Sequence, residues 1–292
     1  MPTARANGIE IAYECAGEGE PVVLIMGIGA QLVHWPDGFL SLLHERGYRT
    51  IRFDNRDVGC STRFTHARVP NVRKLVARWA LGLPVPAPYT LSDMAGDVAG
   101  LMDHLGLEDA HVLGVSMGGM IAQTFAIEHP SRVRTLTSIM STTGERLHAV
   151  PKPHALRALL LSAPRSREES IDRAVAFFRT VGSPDFPFDE ADLRERAGRA
   201  YDRGIDPRGF LRHMAAILAS GSRKRRLRSV RAPTLVLHGA EDPLVRPPGG
   251  RSTARAIPGA KLQLIPGMGH DLPHGVWPIL VAAFDDHARR RG

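Results

Sequence analysis

The stretch Ala110-His-Val-Leu-Gly-Val-Ser-Met-Gly-Gly119 decides how the rest of the chain is read. Ala110–Val115 is a continuously apolar run of strand length, and Met117–His129 has a helical pattern stopped by Pro130. Ser116 stands between them in a G-x-S-x-G sequence. A serine on so sharp a strand-to-helix turn is held in an unfavourable backbone region, and its hydroxyl stands clear of the sheet. Gly114 and Gly118, with Gly119, leave room for strand and helix to approach closely. The helix N-terminus aims free N–H groups at the place where negative charge would develop during attack on a carbonyl. A glycine-rich turn can be purely structural, but the strand–turn–helix setting favours a nucleophile.

A serine hydroxyl is a poor nucleophile until a base removes its proton, so a histidine and an acid should follow. Pro233-Thr-Leu-Val-Leu-His-Gly239 reads as a buried strand, and both Glu241 and Asp242 lie just past its C-terminal end. That is the sheet edge where doubly wound proteins place their sites. Leu262–Ile265 is a further strand, and the loop Pro266-Gly-Met-Gly-His270 after it brings His270 to the same edge. Of 13 histidines, His270 alone combines a strand-end loop with the order serine, acid, histidine. The oxyanion needs two backbone donors: Met117, which follows the serine, and one in Gly27-Ile28-Gly29, with Ile28 preferred and Gly29 second.

Working outward, Ile9–Tyr13 alternates like a half-exposed antiparallel strand. Pro21–Met26, Tyr48–Phe53, Val133–Met140, Thr234–His238 and Lys261–Ile265 are more continuously apolar, as strands covered on both faces are. Helical patterns fall between them at Ser92–Gly106 and Val276–Arg290, so a doubly wound α/β sheet is expected. From Ser141 to about Arg231 the strand signal stops. Ile171, Ala174, Val175 and Phe178 make one helical face, Leu193, Ala197, Ala200 and Tyr201 another, and Phe210–Leu218 a third helix. Residues 142–230 are therefore expected to form a helical cap inserted into a core made of 1–141 and 231–292. Leu159–Leu161, Phe177, Phe178, Phe186 and Phe188 suggest an apolar pocket, although such residues also build cores. Gly29, Phe177, Phe178, Leu244 and Val245 are the expected substrate contacts. Val72, Leu75, Val76 and Trp79 recur at helical spacing within Pro70–Pro88, as in a membrane-touching or substrate-gate helix or a surface loop with one packed turn.

The 292 residues include 43% hydrophobic and 23% charged side chains, the balance of a soluble globular protein, and no apolar run is long enough to span a bilayer. Met1–Gly8 lacks the apolar stretch of a secretory signal, which makes a cytoplasmic location the default expectation. The net charge of +8 rests on arginines scattered among acids, so nucleic acid is not an expected partner. The one dense basic run, Ser222-Arg-Lys-Arg-Arg-Leu-Arg228, reads as a solvated helix end. Cys15 and Cys60 have neither metal-ligand nor disulfide-framework spacing and read as buried free thiols. Either a monomer or a homodimer is compatible with this composition.

Five blocks carry a family resemblance: Leu24-Ile-Met-Gly-Ile28, Phe53-Asp-Asn-Arg-Asp-Val-Gly-Cys-Ser61, Gly114-Val-Ser-Met-Gly-Gly119, His238-Gly-Ala-Glu-Asp242 and Gly267-Met-Gly-His270. Together they resemble successive blocks of the α/β-hydrolase superfamily, most of all the bacterial serine esterase branch that includes aclacinomycin methylesterase. The resemblance implies a mostly parallel eight-stranded sheet with helices on both faces and a cap after the sixth strand. It also implies Asp242 rather than Glu241 as the acid, a small-molecule ester substrate of small or medium apolar type, methyl esters included, and no metal or organic cofactor. Many relatives have His-Gly where this chain has Met26-Gly27, which alters the wall of the acyl pocket but not the backbone donor. Perhydrolase (haloperoxidase-type) and C–C hydrolase activities use the same three groups, and a non-catalytic small-molecule receptor can keep them. With Ser116 at the turn, the Asp-nucleophile dehalogenase and epoxide hydrolase chemistries of the superfamily are not expected.

Overall fold

The apolar runs become the inner strands of one eight-stranded sheet in a computed structural model, which describes residues 1–68, 71–146, 150–160 and 164–289. The strands are β1 (Thr3–Ala6), β2 (Ile9–Ala16), β3 (Glu20–Ile25), β4 (Tyr48–Phe53), β5 (Ala110–Val115), β6 (Val133–Ile139), β7 (Thr234–Gly239) and β8 (Lys261–Ile265). Their order across the sheet is β1-β2-β4-β3-β5-β6-β7-β8. β3 through β8 run parallel, and β1 and β2 are antiparallel.

Two-residue alternation divides each inner strand between two cores, since successive side chains point to opposite faces. Val22, Leu24, Leu113 and Val115 pack with Phe39 and Leu43 of α1 (Asp37–His44) and Leu280 and Phe284 of α10 (Trp277–Arg289). Val23, Ile25, Ala110 and Val112 pack on the other face, against α3 (Leu91–His104) and α4 (Met117–Glu128). Each fully buried Phe or Leu contributes about 1.5–3 kcal/mol in removing apolar surface from water. The parallel strands are therefore as apolar as their position requires.

Some elements differ from the sequence reading. Thr3–Ala6, taken with the N-terminus, is the outermost strand and pairs with β2. α9 (Pro247–Ala256) opens on Pro-Pro-Gly-Gly, which gives no helical signal; Gly249 and Gly250 instead allow it to lie against Thr142 and His238. β8 is a half-exposed edge strand rather than one covered on both faces, and among the described residues no strand pairs beyond it. Cys15 and Cys60 are exposed, not buried, Cys15 near the end of β2 and Cys60 on the loop after β4. The basic run at 222–228 is not wholly solvated. Arg223 is buried and donates to the Thr142 carbonyl at 2.8 Å, and burial lowers its pKa to about 10.

Between β6 and β7 the chain forms α5 (Pro153–Leu159), α6 (Arg167–Val181), α7 (Glu190–Asp202) and α8 (Pro207–Ser220), with Leu161 outside the described residues. Ser166, Asp189 and Asp206 cap the last three by accepting backbone N–H bonds in the first turn. α8 also packs against α2 (Val72–Ala80), the helix within the Pro70–Pro88 segment. Arg212 of α8 is fully buried and donates to both oxygens of Asp57 at 2.7 and 2.8 Å, and Tyr89 donates to the same carboxylate. His213 donates from Nε2 to the Arg56 carbonyl at 2.7 Å and accepts the Gly29 N–H on Nδ1 at 3.2 Å. The Gln31 side chain donates to the Ala200 and Gly204 carbonyls. The inserted helices are thus tied to the loops after β3 and β4 by bonds made away from water.

Removing one member of a buried ion pair leaves the other charge uncompensated. Arg212→Ala should lower unfolding stability by about 3–5 kcal/mol, read from the urea midpoint. Burial holds the His213 pKa down to about 4. Above about pH 6.5 the imidazole is neutral in both folded and unfolded chains and its protonation has no effect on stability. Between about pH 6.5 and 4 only the unfolded chain takes up the proton, so stability falls as pH falls, by on the order of 3 kcal/mol for this group. A His213→Leu variant should show a correspondingly shallower decline in urea stability between neutral and acidic pH.

Candidate functional site

Ser116 is the N-cap of α4 and has φ 55° and ψ −118°, a region that non-glycine residues rarely occupy. The strain is held by packing. A Cβ on Gly114 would run into the Gly118 carbonyl, one on Gly118 into the Ile25 carbonyl, and one on Gly119 would lie 2.6 Å from Cβ of Ser141. The Ser116 N–H donates to the Ile139 carbonyl at 2.9 Å, and the Ser141 hydroxyl donates to the Ser116 carbonyl at 2.7 Å.

The three strand-end residues meet. Oγ of Ser116 lies 3.0 Å from Nε2 of His270, and Nδ1 of His270 lies 2.7 Å from Oδ2 of Asp242. The other oxygen of Asp242 accepts the Leu244 and Val245 amides at 2.8 Å each, so this buried carboxylate is fixed in orientation. With Asp242 accepting, Nδ1 carries the imidazole proton, and Nε2 is left free to accept the Ser116 hydroxyl. Glu241, the other acid at this strand end, is exposed and does not bond to His270.

Several supporting residues gave no signal in the sequence. The His270 N–H donates to the Val181 carbonyl at 2.7 Å, at the end of α6. The Ser183 hydroxyl accepts the Gly269 amide at 2.9 Å and donates to Asp271 at 2.5 Å, and burial raises the Asp271 pKa. The loop that carries His270 is therefore held by the inserted helices. His238 is fully buried and donates from Nε2 to the Val245 carbonyl at 2.6 Å. Burial lowers its pKa, so it backs the Asp242 turn as a neutral ring. The contacts to Val181 and Ser183 join residues distant in sequence, which no local pattern reveals, whereas His238 and Val245 flank one turn.

Gly27 faces Ser116 across the sheet edge, where a Cβ on it would sit 3.4 Å from Cβ of Ser116, and Ile28 and Gly29 line the same cavity as the serine. Asn55 anchors this turn through the Met26 carbonyl at 3.1 Å. The Gly29 amide, the second choice as oxyanion donor, donates to Nδ1 of His213 at 3.2 Å. Ile28 lines the cavity beside Ser116, and the Met117 amide, first in its helix, has no helical acceptor.

A cavity of about 910 Å³ opens over Ser116 and His270. Its walls include Leu159, Phe177, Phe178 and Phe210 from the inserted helices, together with Leu244 and Gly29. Of the five expected contacts, Val245 does not line it; its amide and carbonyl are bound to Asp242 and His238. Phe188 lines the wall, whereas Phe186 packs on the α10 side of the core. Among the described residues, no group of three or more His, Cys, Asp or Glu is placed to hold a metal ion.

The family model of the alpha/beta hydrolase fold matches residues 20–274. The chain is 30% identical to the rhodomycin D methylesterase DnrP of Streptomyces peucetius over 99% of each chain. It is 28% identical to 2-hydroxy-6-oxononadienedioate/2-hydroxy-6-oxononatrienedioate hydrolase 2 of Pseudomonas putida, over 90% of this chain and 85% of that one. Among solved structures, the esterase EaEST of Exiguobacterium antarcticum superimposes with a TM-score of 0.74 over 98% of each chain at 20% identity, a likeness of fold. The sheet order, the serine at the strand-to-helix turn and the match from Glu20 to His274 agree: the chain belongs to the α/β-hydrolase family.

Proposed function

We propose that this protein is a serine esterase that cleaves a carboxylic ester through an acyl-enzyme. The observation that carries the reading is the continuous bond chain Ser116–His270–Asp242 beneath a largely apolar cavity. Ser116 Oγ attacks the ester carbonyl as Nε2 of His270 takes the hydroxyl proton, and Asp242 holds the ring and supports the imidazolium. The Ile28 and Met117 amides stabilise the tetrahedral oxyanion. His270 returns the proton to the departing alkoxide, the alcohol leaves, and the acyl group remains on Oγ. Water, deprotonated by His270, then attacks the acyl carbonyl; the carboxylic acid departs and Ser116 regains its proton.

The cavity volume of about 910 Å³ bears on the substrate. Drug-sized ligands occupy sites of roughly 300–1,000 Å³, so this one has room for several fused rings. The sequence suggested a small or medium ester; the volume has room for a larger one, and the methylesterase among the relatives makes a bulky acyl part with a methoxy leaving group the form to test first.

Fluorophosphonate labelling should modify Ser116 and no other residue, as mass spectrometry of the digested protein would read. Ser116→Ala should abolish labelling and lower kcat on a p-nitrophenyl ester by several orders of magnitude, and Asp242→Asn should lower it about 10⁴-fold. Near-normal turnover by Ser116→Ala would sink the assignment. A stoichiometric burst without turnover would favour a receptor, and activity only with added peroxide would favour a perhydrolase.

A further inference from the structure

Two segments bordering the cavity share an unusual composition. From Val58 to Ser92 there is no Asp or Glu, while Arg63, Arg68, Arg73, Lys74 and Arg78 supply positive charge. From Arg146 to Arg167 there is again no acid, and Lys152, Arg157 and Arg165 add to the two terminal arginines. In a chain with 30 acids among 292 residues, these gaps are local features rather than a consequence of the net charge.

The fold brings the two segments to one rim. Val72 and Arg73 of α2 and Leu159 and Leu160 at the end of α5 line the same cavity. At the far end of α2, a Cβ on Gly82 would come within 3.0 Å of the Arg146 guanidinium. Nine large hydrophobic side chains are exposed among the described residues, and six belong to these segments: Val76, Leu81, Leu83, Val150, Leu156 and Leu160. Leu81 is 75% exposed. Arg68, Arg73, Lys74, Arg78, Arg146, Lys152 and Arg157 are exposed beside them, and among the described residues none forms an ion pair. Exposed arginines elsewhere are of both kinds: Arg194 pairs with Asp172, whereas Arg225, Arg228, Arg251 and Arg255 form no ion pair among the described residues, so it is the projecting aliphatic side chains among the cations that set this rim apart.

We propose that this rim, built on α2 and α5, is a docking surface for an anionic lipid bilayer. Aliphatic side chains that project among unpaired cations match the boundary between acyl chains and acidic headgroups. An acidic leaflet attracts each nearby Lys or Arg by on the order of fivefold in partitioning. Nucleic acid would select cations interleaved with stacking aromatics, whereas here the exposed side chains are aliphatic and Trp79 is half-buried. The attachment is peripheral, since no helix among the described residues is long and apolar enough to cross a membrane. Docking goes beyond the esterase reading and does not depend on it. Where both hold, an apolar ester dissolved in the bilayer reaches Ser116 through the lined mouth.

The full-length protein should sediment with sucrose-loaded vesicles of equal parts phosphatidylglycerol and phosphatidylcholine at low ionic strength. It should be released by high salt, and should stay in solution with phosphatidylcholine alone. The Trp79 emission should shift to the blue on binding. Val76→Asp with Leu81→Asp, and separately Lys74→Glu with Arg157→Glu, should each weaken vesicle binding by about tenfold or more. Their unchanged melting temperatures would show that folding is intact. Failure to bind acidic vesicles, equal binding to neutral ones, or undiminished binding by both folded variants would overturn the proposal. So would a concentration-dependent dimer that the Val76/Leu81 variant abolishes, since the face would then belong to a second copy.

Discussion

Helix α4 begins on the residue that ends the β5 turn, and the separation of helix from sheet there is smaller than any side chain permits. Gly114, Gly118 and Gly119 meet that requirement together, each facing backbone or the Ser141 side chain. The close approach forces Ser116 to positive φ and lifts its hydroxyl to within 3.0 Å of the His270 ring. A methyl group at Gly118 would push the helix off the Ile25 carbonyl and carry the serine with it. The position of Ser116 thus follows from the absence of three side chains as much as from any bond it makes.

The remaining site residues are held from opposite sides. Asp242 is fixed locally by amides two and three residues onward, in the manner of an Asx turn. His270 depends on long-range support: its amide reaches Val181 and its neighbours reach Ser183. The turn at Gly29 likewise depends on His213. The helical insertion is therefore part of the machinery that aligns the imidazole and the Gly27–Gly29 turn, as well as a wall of the cavity.

This distinction explains what could be read from the sequence. Order along a strand, the glycine pattern and the strand-end acids are local, and from them the fold, Ser116, His270 and the inner strands were legible. Asp242 and Glu241 are adjacent, so position alone could not separate them; in the folded turn Asp242 points toward the ring and Glu241 toward solvent. Burial of Arg212, Arg223 and His213 was invisible, because a polar side chain is buried only when a distant partner receives it. Cys15 and Cys60 went the other way: a small apolar residue type carried an expectation of burial that the sheet margin and the β4 loop did not honour.

The sheet's outer margin has its own physical consequence. β8 has only five residues, opens on exposed Lys261, and carries half-buried or exposed side chains at four positions. Unpaired edges invite strand addition by other molecules, and a short strand with a charge at its mouth offers a poor template for it. A parallel sheet assembled from distant segments folds slowly, with its strands open for longer than in a local hairpin. The brevity and charge of this last strand thus make the open margin of the sheet a poor partner for a second chain.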